Sequence, residues 1–190
     1  MEYPDKTMYE LFAKSARKYP LEPALAFLGS EIRYGELLIL VDRAASSLMS
    51  QGAQPGDVAA ICLPNIPHAV IAFYAVNKLG MVANMIHPLT PPDELGNILK
   101  MTKSRYLFML DAFLPRAVDA IRGAGTKKTF VCAVSDYLSP FMSLGFYITK
   151  GRKIKHLPVS ADRILWKEFI SRRSEERRVG KECRSRWSPE

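Results

Sequence analysis

Three histidines, at positions 68, 87 and 156, are the side chains best suited to acid–base chemistry near neutral pH. His68 lies early in an apolar segment that predicts a helix, and His87 ends a predicted strand just before Pro88. A histidine base also needs a nucleophile or a substrate within reach, and the sequence has no Gly-x-Ser-x-Gly elbow. We therefore expect structural or solvated histidines at 68, 87 and His156, and we predict no catalytic residue.

The segment Gly123–Lys128 is rich in glycine and lysine and at first sight suits a phosphate group. A phosphate-binding loop follows a strand and opens a helix, so that backbone N–H groups and the helix dipole meet the anion. This segment instead follows a predicted helix and precedes a predicted strand. We expect a helix end and a turn here, and we predict no cofactor-binding residue in the chain.

The acidic residues do not form an evident acid–base pair. Asp93 and Glu94 are explained by the first turn of a predicted helix, where carboxylates interact favourably with the helix dipole. Asp57 fits the turn that follows Pro55. None of them is assigned a role in proton transfer.

The cysteines do not suggest a metal site either. Cys62, Cys132 and Cys183 are far apart, without a Cys-x-x-Cys pair or a histidine at ligand spacing. Cys62 and Cys132 lie in apolar runs, which predicts buried free thiols. We expect no bound metal, and these cysteines fit a reducing cytoplasm.

The elements around these residues alternate between strands and helices. Predicted strands cover residues 23–27, 31–34, 58–63, 81–86, 105–110 and 129–134, and predicted helices cover 8–19, 34–51, 67–79 and 114–124. A further helix is expected to begin at Pro91 with Thr90 as its cap. The first two strands read as a hairpin, and the later alternation predicts an α/β fold with a mostly parallel sheet and flanking helices.

Composition and charge describe an ordinary globular chain. Of the 190 residues 48% are hydrophobic and 24% charged, and the net charge is +8. The basic residues do not form a stripe with aromatics, so we expect no nucleic-acid partner. The most apolar stretch, residues 66–86, is broken by polar residues and glycine, which argues against a membrane span.

Three regions follow from this alternation. Residues 1–134 carry the strand–helix rhythm, 135–171 form an apolar and basic stretch in which it fails, and 172–190 form a basic tail without apolar periodicity. Within the second region a short helix is expected at Trp166–Phe169, and residues 137–155 could make weak contact with a membrane surface.

Four stretches, in this order and spacing, together resemble the N-terminal subdomain of AMP-forming acyl-CoA synthetases, the adenylate-forming superfamily. They are Ile32–Leu37, Pro55–Ile61, Pro64–Ala75 and Lys78–Leu95, the last with His87-Pro88 inside it. The resemblance covers residues 5–134, and residues 135–171 are similar to a lineage-specific stretch of bacterial fatty-acid–CoA ligases.

The resemblance implies an enzyme that activates a carboxylic acid, here a fatty acid, with ATP and Mg²⁺ and transfers it to coenzyme A. In that family the Ser/Thr/Gly-rich phosphate loop, the adenine and ribose contacts and the C-terminal lysine lie further downstream, and the sequence contains none of them. It therefore implies a truncated, inactive cytoplasmic piece that by itself binds no cofactor.

The end of the chain resembles something different. Residues 173–189 are similar to the translation of a common sequencing adapter, and a natural basic tail for acidic partners is the alternative. Two other functions stay open for the whole chain: a stand-alone doubly wound α/β binding module, and a basic protein that binds the membrane surface.

Overall fold

The structure, a computed structural model, describes residues 5–138 and 162–171. Its strands are β1 Pro23–Phe27, β2 Ser30–Arg33, β3 Val58–Cys62, β4 Val82–Met85, β5 Tyr106–Leu110, β6 Lys128–Cys132 and β7 Arg163–Leu165. Its helices are α1 Met8–Lys18, α2 Tyr34–Ser50, α3 Pro67–Lys78, α4 Pro92–Met101, α5 Leu114–Ala124 and α6 Trp166–Ser171, with a short 3₁₀ helix at Val134–Tyr137. His156, Cys183, the tail 172–190 and most of the stretch 137–155 lie outside the described residues.

Five strands form one parallel sheet in the order β4-β3-β5-β6-β7. The apolar runs in β3, β5 and β6 place these strands inside the sheet, because a strand covered on both faces must be apolar throughout. β1 and β2 form the separate antiparallel hairpin that the sequence predicts. The predicted α/β fold with a mostly parallel sheet is confirmed.

Helices cover both faces of the sheet. In β5, Tyr106 and Phe108 point into a core shared with α1, α2, α3 and α6, whereas Leu107 and Met109 point into a core shared with α4 and α5. This alternation follows from the two-residue period of a strand. On the second face α4 and α5 approach closely, since Gly96 in α4 leaves room for Ala120 of α5.

A capping box begins α1, as the spacing of Thr7 and Glu10 in the sequence predicts. Glu10 N–H donates to Thr7 Oγ1 at 3.2 Å, and Thr7 N–H donates back to Glu10 Oε2 at 2.7 Å. Among the apolar side chains of α1, Phe12 and Ala16 are buried, whereas Met8 is largely exposed.

The predicted cap of α4 is wrong. Thr90 makes no side-chain cap; Pro91 is the N-cap in extended geometry, and the helix begins at Pro92. The reason is steric, because a residue that precedes a proline is disfavoured in the helical region. Pro91 therefore cannot take the first helical position that the sequence analysis gave it.

β7 is a strand that the sequence analysis does not predict. Phe130 and Val131 of β6 pair with Ile164 and Leu165, so the sheet gains a fifth strand after the point where the alternation fails. α6 follows at once and agrees with the short helix expected near Trp166. Among the described residues there is no helix long and apolar enough to span a membrane.

Candidate functional site

The carboxyl ends of the sheet strands bring together a histidine and an aspartate that are far apart in the sequence. His68 is the second residue of α3, shortly after β3, and Asp136 lies in the 3₁₀ helix after β6. Because the carboxyl ends of parallel strands share one edge, the two side chains meet there, with His68 Nε2 3.1 Å from Asp136 Oδ2.

Aromatic side chains enclose this pair. The Tyr137 ring meets the imidazole edge-on with centroids 4.7 Å apart, and the Trp166 ring lies at 4.8 Å. Trp166 Nε1–H donates to the Tyr137 hydroxyl at 3.2 Å. The cluster therefore connects α3, the 3₁₀ helix and the β7–α6 corner.

Burial controls the charge of His68, whose side chain is 1% exposed. Desolvation lowers the pKa of His68 below its ordinary value, and this outweighs the opposing effect of the carboxylates of Asp136 and Asp111. At neutral pH the imidazole is accordingly uncharged, and its Nε2–H donates to Asp136. His68 Nδ1 then carries a lone pair, which has no partner among the described residues.

Asp136 has further partners that fix its position. Its Oδ2 accepts the Ala133 N–H at 3.1 Å, and its Oδ1 lies 3.6 Å from the exposed Nζ of Lys167. Burial also raises the pKa of Tyr137 well above its usual value, so its hydroxyl stays protonated and available to Trp166. The arrangement holds three segments in place, and its imidazole is closed off from solvent.

The other sequence candidates are not part of this cluster. His87 is exposed, and its Nδ1 accepts the backbone N–H of Leu89 at 3.2 Å. Asp57 closes its turn through Gln54 N–H and pairs with Arg105 at 2.6 Å. Asp93 and Glu94 occupy the first turn of α4, as expected.

The glycine-rich segment and the cysteines also lie elsewhere. Gly125 ends α5 in the left-handed conformation with φ 75°, and β6 begins at Lys128, so the predicted helix end and turn are confirmed. Cys62 and Cys132 are buried free thiols, and burial raises the pKa of both. Within residues 5–138 and 162–171 no group of three His, Cys, Asp or Glu side chains could hold a metal ion.

The sequence analysis missed Asp136, Tyr137 and Trp166 as parts of one cluster. Asp136 stands alone in a stretch without regular pattern, so no local signal marks it. Trp166 was recognised only as part of a short helix. Their proximity to His68 depends on the strand order, which the sequence analysis did not predict.

An apolar cleft opens along the first half of α3, between this helix and the β1–β2 hairpin. It measures about 410 Å³, and its walls include Leu25, Phe27, Asn65, Phe73 and Tyr74. Apart from the Asn65 amide its side chains offer little polarity. Two apolar side chains beside it, Leu28 at the hairpin tip and Met85 at the end of β4, are exposed.

The sequence is similar to those of known enzymes. A sequence profile of the family described as AMP-binding enzyme matches residues 12–159. The chain is 27% identical over 151 residues to a long-chain-fatty-acid–CoA ligase of Bacillus subtilis, which covers 80% of this chain and 27% of that protein. It is 47% identical over 83 residues to an acetyl-coenzyme A synthetase of Emericella nidulans, covering 44% of this chain and 12% of that protein.

Solved structures show the same fold. Coronafacic acid ligase from Pectobacterium brasiliense matches with a TM-score of 0.71 at 19% identity, covering 90% of this chain and 30% of that chain. The N-terminal subdomain of NpsA from Klebsiella oxytoca, solved with anthranilyl-AMSN, matches with a TM-score of 0.53 at 27% identity, covering 55% and 27%. The chain thus spans about a quarter of the length of the curated fatty-acid ligase that it matches.

Proposed function

The chain belongs to the family of AMP-binding enzymes, and from this premise we propose that it is the N-terminal part of an AMP-forming acid–CoA ligase. The complete enzyme would activate a carboxylic acid with ATP and Mg²⁺ to an acyl-adenylate and pass the acyl group to coenzyme A. The observation that carries the proposal is the profile match over residues 12–159, together with relatives named as CoA ligases and synthetases.

We further propose that the acid is a fatty acid and that the enzyme works in the cytoplasm. The similarity to the B. subtilis long-chain ligase supports the substrate, because it extends over 80% of this chain. Nucleic acid has no place in this proposal, since ATP, a carboxylic acid and coenzyme A are the ligands that such a ligase needs.

In the same proposal, the ATP site lies outside the described residues. Gly123–Lys128 follows a helix, so its backbone N–H groups do not open a helix toward a phosphate. The acidic side chains also form no cluster that could hold Mg²⁺ in the described part of the chain. In this proposal residues 5–138 and 162–171 therefore supply the scaffold, and the nucleotide contacts come from sequence that this chain does not contain.

ATP–pyrophosphate exchange with a panel of fatty acids tests this proposal. We expect no exchange above background from the 190-residue chain, because its sequence contains neither the family's phosphate loop nor its C-terminal lysine, which would stabilise charge during adenylation. The B. subtilis ligase serves as the positive control. Exchange that disappears on heat denaturation of the chain would contradict the proposal.

The genomic DNA beyond codon 171 provides an independent check. We expect an open reading frame that continues into a Ser/Thr/Gly-rich loop containing lysine. A frame that stops without such a loop would favour a stand-alone binding module instead.

A further inference from the structure

The amino end of the parallel sheet carries a concentrated positive charge. We define the amino edge as residues 51–57, 79–82, 100–105 and 122–128, which connect the helices to the strands that follow them. Asp57 is the acidic residue in these four segments, against six basic ones. The basic residues are Lys100, Lys103, Arg105, Arg122, Lys127 and Lys128.

Hydrogen bonds hold these segments together as one surface. The backbone N–H groups of Lys127 and Lys128 both donate to the Arg105 carbonyl, at 2.8 and 3.2 Å. Lys127 Nζ reaches the Gln51 carbonyl at 3.3 Å. Asn84 of β4 donates to Thr102 at 3.1 Å, which places the edge strand beside the loop that carries Lys103.

Helix dipoles offset only part of this positive charge. The C-termini of α2, α3, α4 and α5 all lie at the amino edge, because each of these helices precedes a strand of the sheet. Each helix C-terminus is equivalent to about half a negative charge, so four of them offset about two of the basic residues. A surplus of about two positive charges remains after Asp57 and Asp119, the α5 carboxylate that pairs with Arg122 at 3.3 Å, are also subtracted.

The opposite edge of the sheet has the opposite sign. Its segments, residues 63–68, 86–94, 111–113, 133–138 and 166–167, contain four carboxylates and one lysine. Among the segments that join the helices and strands of the parallel sheet, the positive charge is therefore concentrated at the amino edge, and an anionic partner would approach from that end.

Two exposed apolar side chains stand among the lysines. Met101, the last residue of α4, is 78% exposed, and Val82, the first residue of β4, is 53% exposed. The four segments contain no aromatic residue on which a nucleic-acid base could stack. Cations beside exposed aliphatic groups are the combination that binds anionic lipid, because the cations meet headgroups while the aliphatic groups enter the interface.

We propose that the amino edge docks the protein onto an anionic membrane surface. Lys100, Lys103 and Lys127, all exposed, face the lipid headgroups, and Met101 enters the headgroup region. This surface lies at the opposite end of the sheet from the cluster of His68, Asp136, Tyr137 and Trp166, and the proposal does not depend on acid–CoA ligase activity.

Vesicle flotation tests the proposal with the full 190-residue chain. Flotation separates bound protein, which rises with the vesicles, from aggregated protein, which sinks. The vesicles are phosphatidylcholine alone or phosphatidylcholine with about 30% phosphatidylglycerol, each at about 0.05 M and 0.3 M salt. We expect binding to the anionic vesicles at low salt and weaker binding at high salt.

Paired charge reversals locate the surface. Lys100→Glu/Lys103→Glu should lower binding to anionic vesicles by about tenfold or more, since each lysine near such a surface contributes appreciably. Lys14→Glu/Lys18→Glu makes the same charge change on the exposed side of α1 and should leave most of the binding intact. Met101→Ser should weaken binding at both salt concentrations, because it removes an uncharged contact. Circular dichroism confirms that each variant is folded.

Three results would overturn the proposal. One is wild-type protein that does not float with anionic vesicles. Another is an equal loss of binding in the two paired variants, which would mean that net charge alone drives binding. The third is wild-type protein that binds single-stranded DNA or polyglutamate at the amino edge but not vesicles, which would assign this surface to an acidic macromolecule.

Discussion

His68 is unusual because a group that normally titrates near neutral pH is enclosed by aromatic rings and paired with a single carboxylate. A charged imidazole would pair better with Asp136, yet burial favours the neutral form more strongly. The unfavourable protonation of His68 in the folded protein therefore makes the free energy of unfolding depend on pH.

Folding stability should fall as the pH drops below about 6.5, the ordinary pKa of histidine. The lowered pKa of His68 means that the unfolded chain binds this proton first, so acid favours unfolding. His68→Gln, which keeps an N–H donor, should reduce the slope of stability against pH by up to about 1.4 kcal/mol per pH unit. Urea titrations between pH 5 and 7.5, at roughly half-unit steps, measure this slope.

His87→Gln is the matched control for this experiment, because His87 is exposed. Its slope should resemble that of the wild type. If the slope were unchanged in His68→Gln, the pKa of His68 would be the same in the folded and unfolded chain. That result would contradict the expectation that burial lowers this pKa.

Single residues were predictable where the local pattern decides their environment. Cys62 and Cys132 lie in apolar runs and are buried, and Thr7 caps α1 because its spacing to Glu10 is local. The partner of His68 was not predictable, because 68 residues separate it from Asp136 and only the strand order brings them together.

At the scale of elements, the six-residue helix α6 contributes two large buried side chains to the core that it shares with α2. Trp166 and Phe169 are almost completely buried, and the Phe169 ring lies tilted against Phe130 at 4.4 Å and edge-on to Phe108 at 5.8 Å. The Ser47 hydroxyl of α2 also donates to the Phe169 carbonyl. The β7–α6 unit is thus packed into the same core as α2.

Trp166→Ala should destabilise the chain by about 3–5 kcal/mol, because it leaves a large cavity and removes the hydrogen bond to Tyr137. Leu165→Ala changes the preceding, partly exposed residue and should cost less than about 1 kcal/mol. Urea unfolding of both variants gives the comparison. A Trp166→Ala variant as stable as Leu165→Ala would show that the region after residue 135 is not part of the folded unit.

Elements long enough to show a repeating pattern of apolar residues were predictable from the sequence, and shorter elements were not. α5 has the predicted bounds, because four apolar positions on one side and a glycine end define it. β7 has three residues, which is too few to show an alternating pattern, and its place beside β6 is set by packing of α6. The cap of α4 was misjudged because two consecutive prolines compete for the first helical position.

At the scale of the whole molecule, the cleft between α3 and the hairpin leaves apolar surface open to water. We expect the chain to self-associate at about 0.15 M salt, since screening within about 8 Å weakens charge repulsion and leaves apolar contacts intact. Leu28→Asn/Met85→Lys should reduce this association. Asparagine suits position 28, where the backbone has φ 46°.

Size-exclusion chromatography with light scattering over a range of concentrations measures the association. Leu21→Lys, which replaces another exposed leucine away from the cleft, is the control and should change it little. A wild-type chain that stays monomeric at all concentrations and binds no hydrophobic dye would contradict the expectation.

The strand order also affects how the protein can fold during its synthesis on the ribosome. β5 joins β3, β6 joins β5 and β7 joins β6, so every strand after β3 pairs with one that the ribosome has already released. The sheet can therefore grow during translation, at roughly 5–20 residues per second, without waiting for a later segment. On the growing side the newest strand always presents an unpaired edge. The edge of β6 consequently remains a template for intermolecular pairing until Arg163–Leu165 has left the exit tunnel and can pair with it.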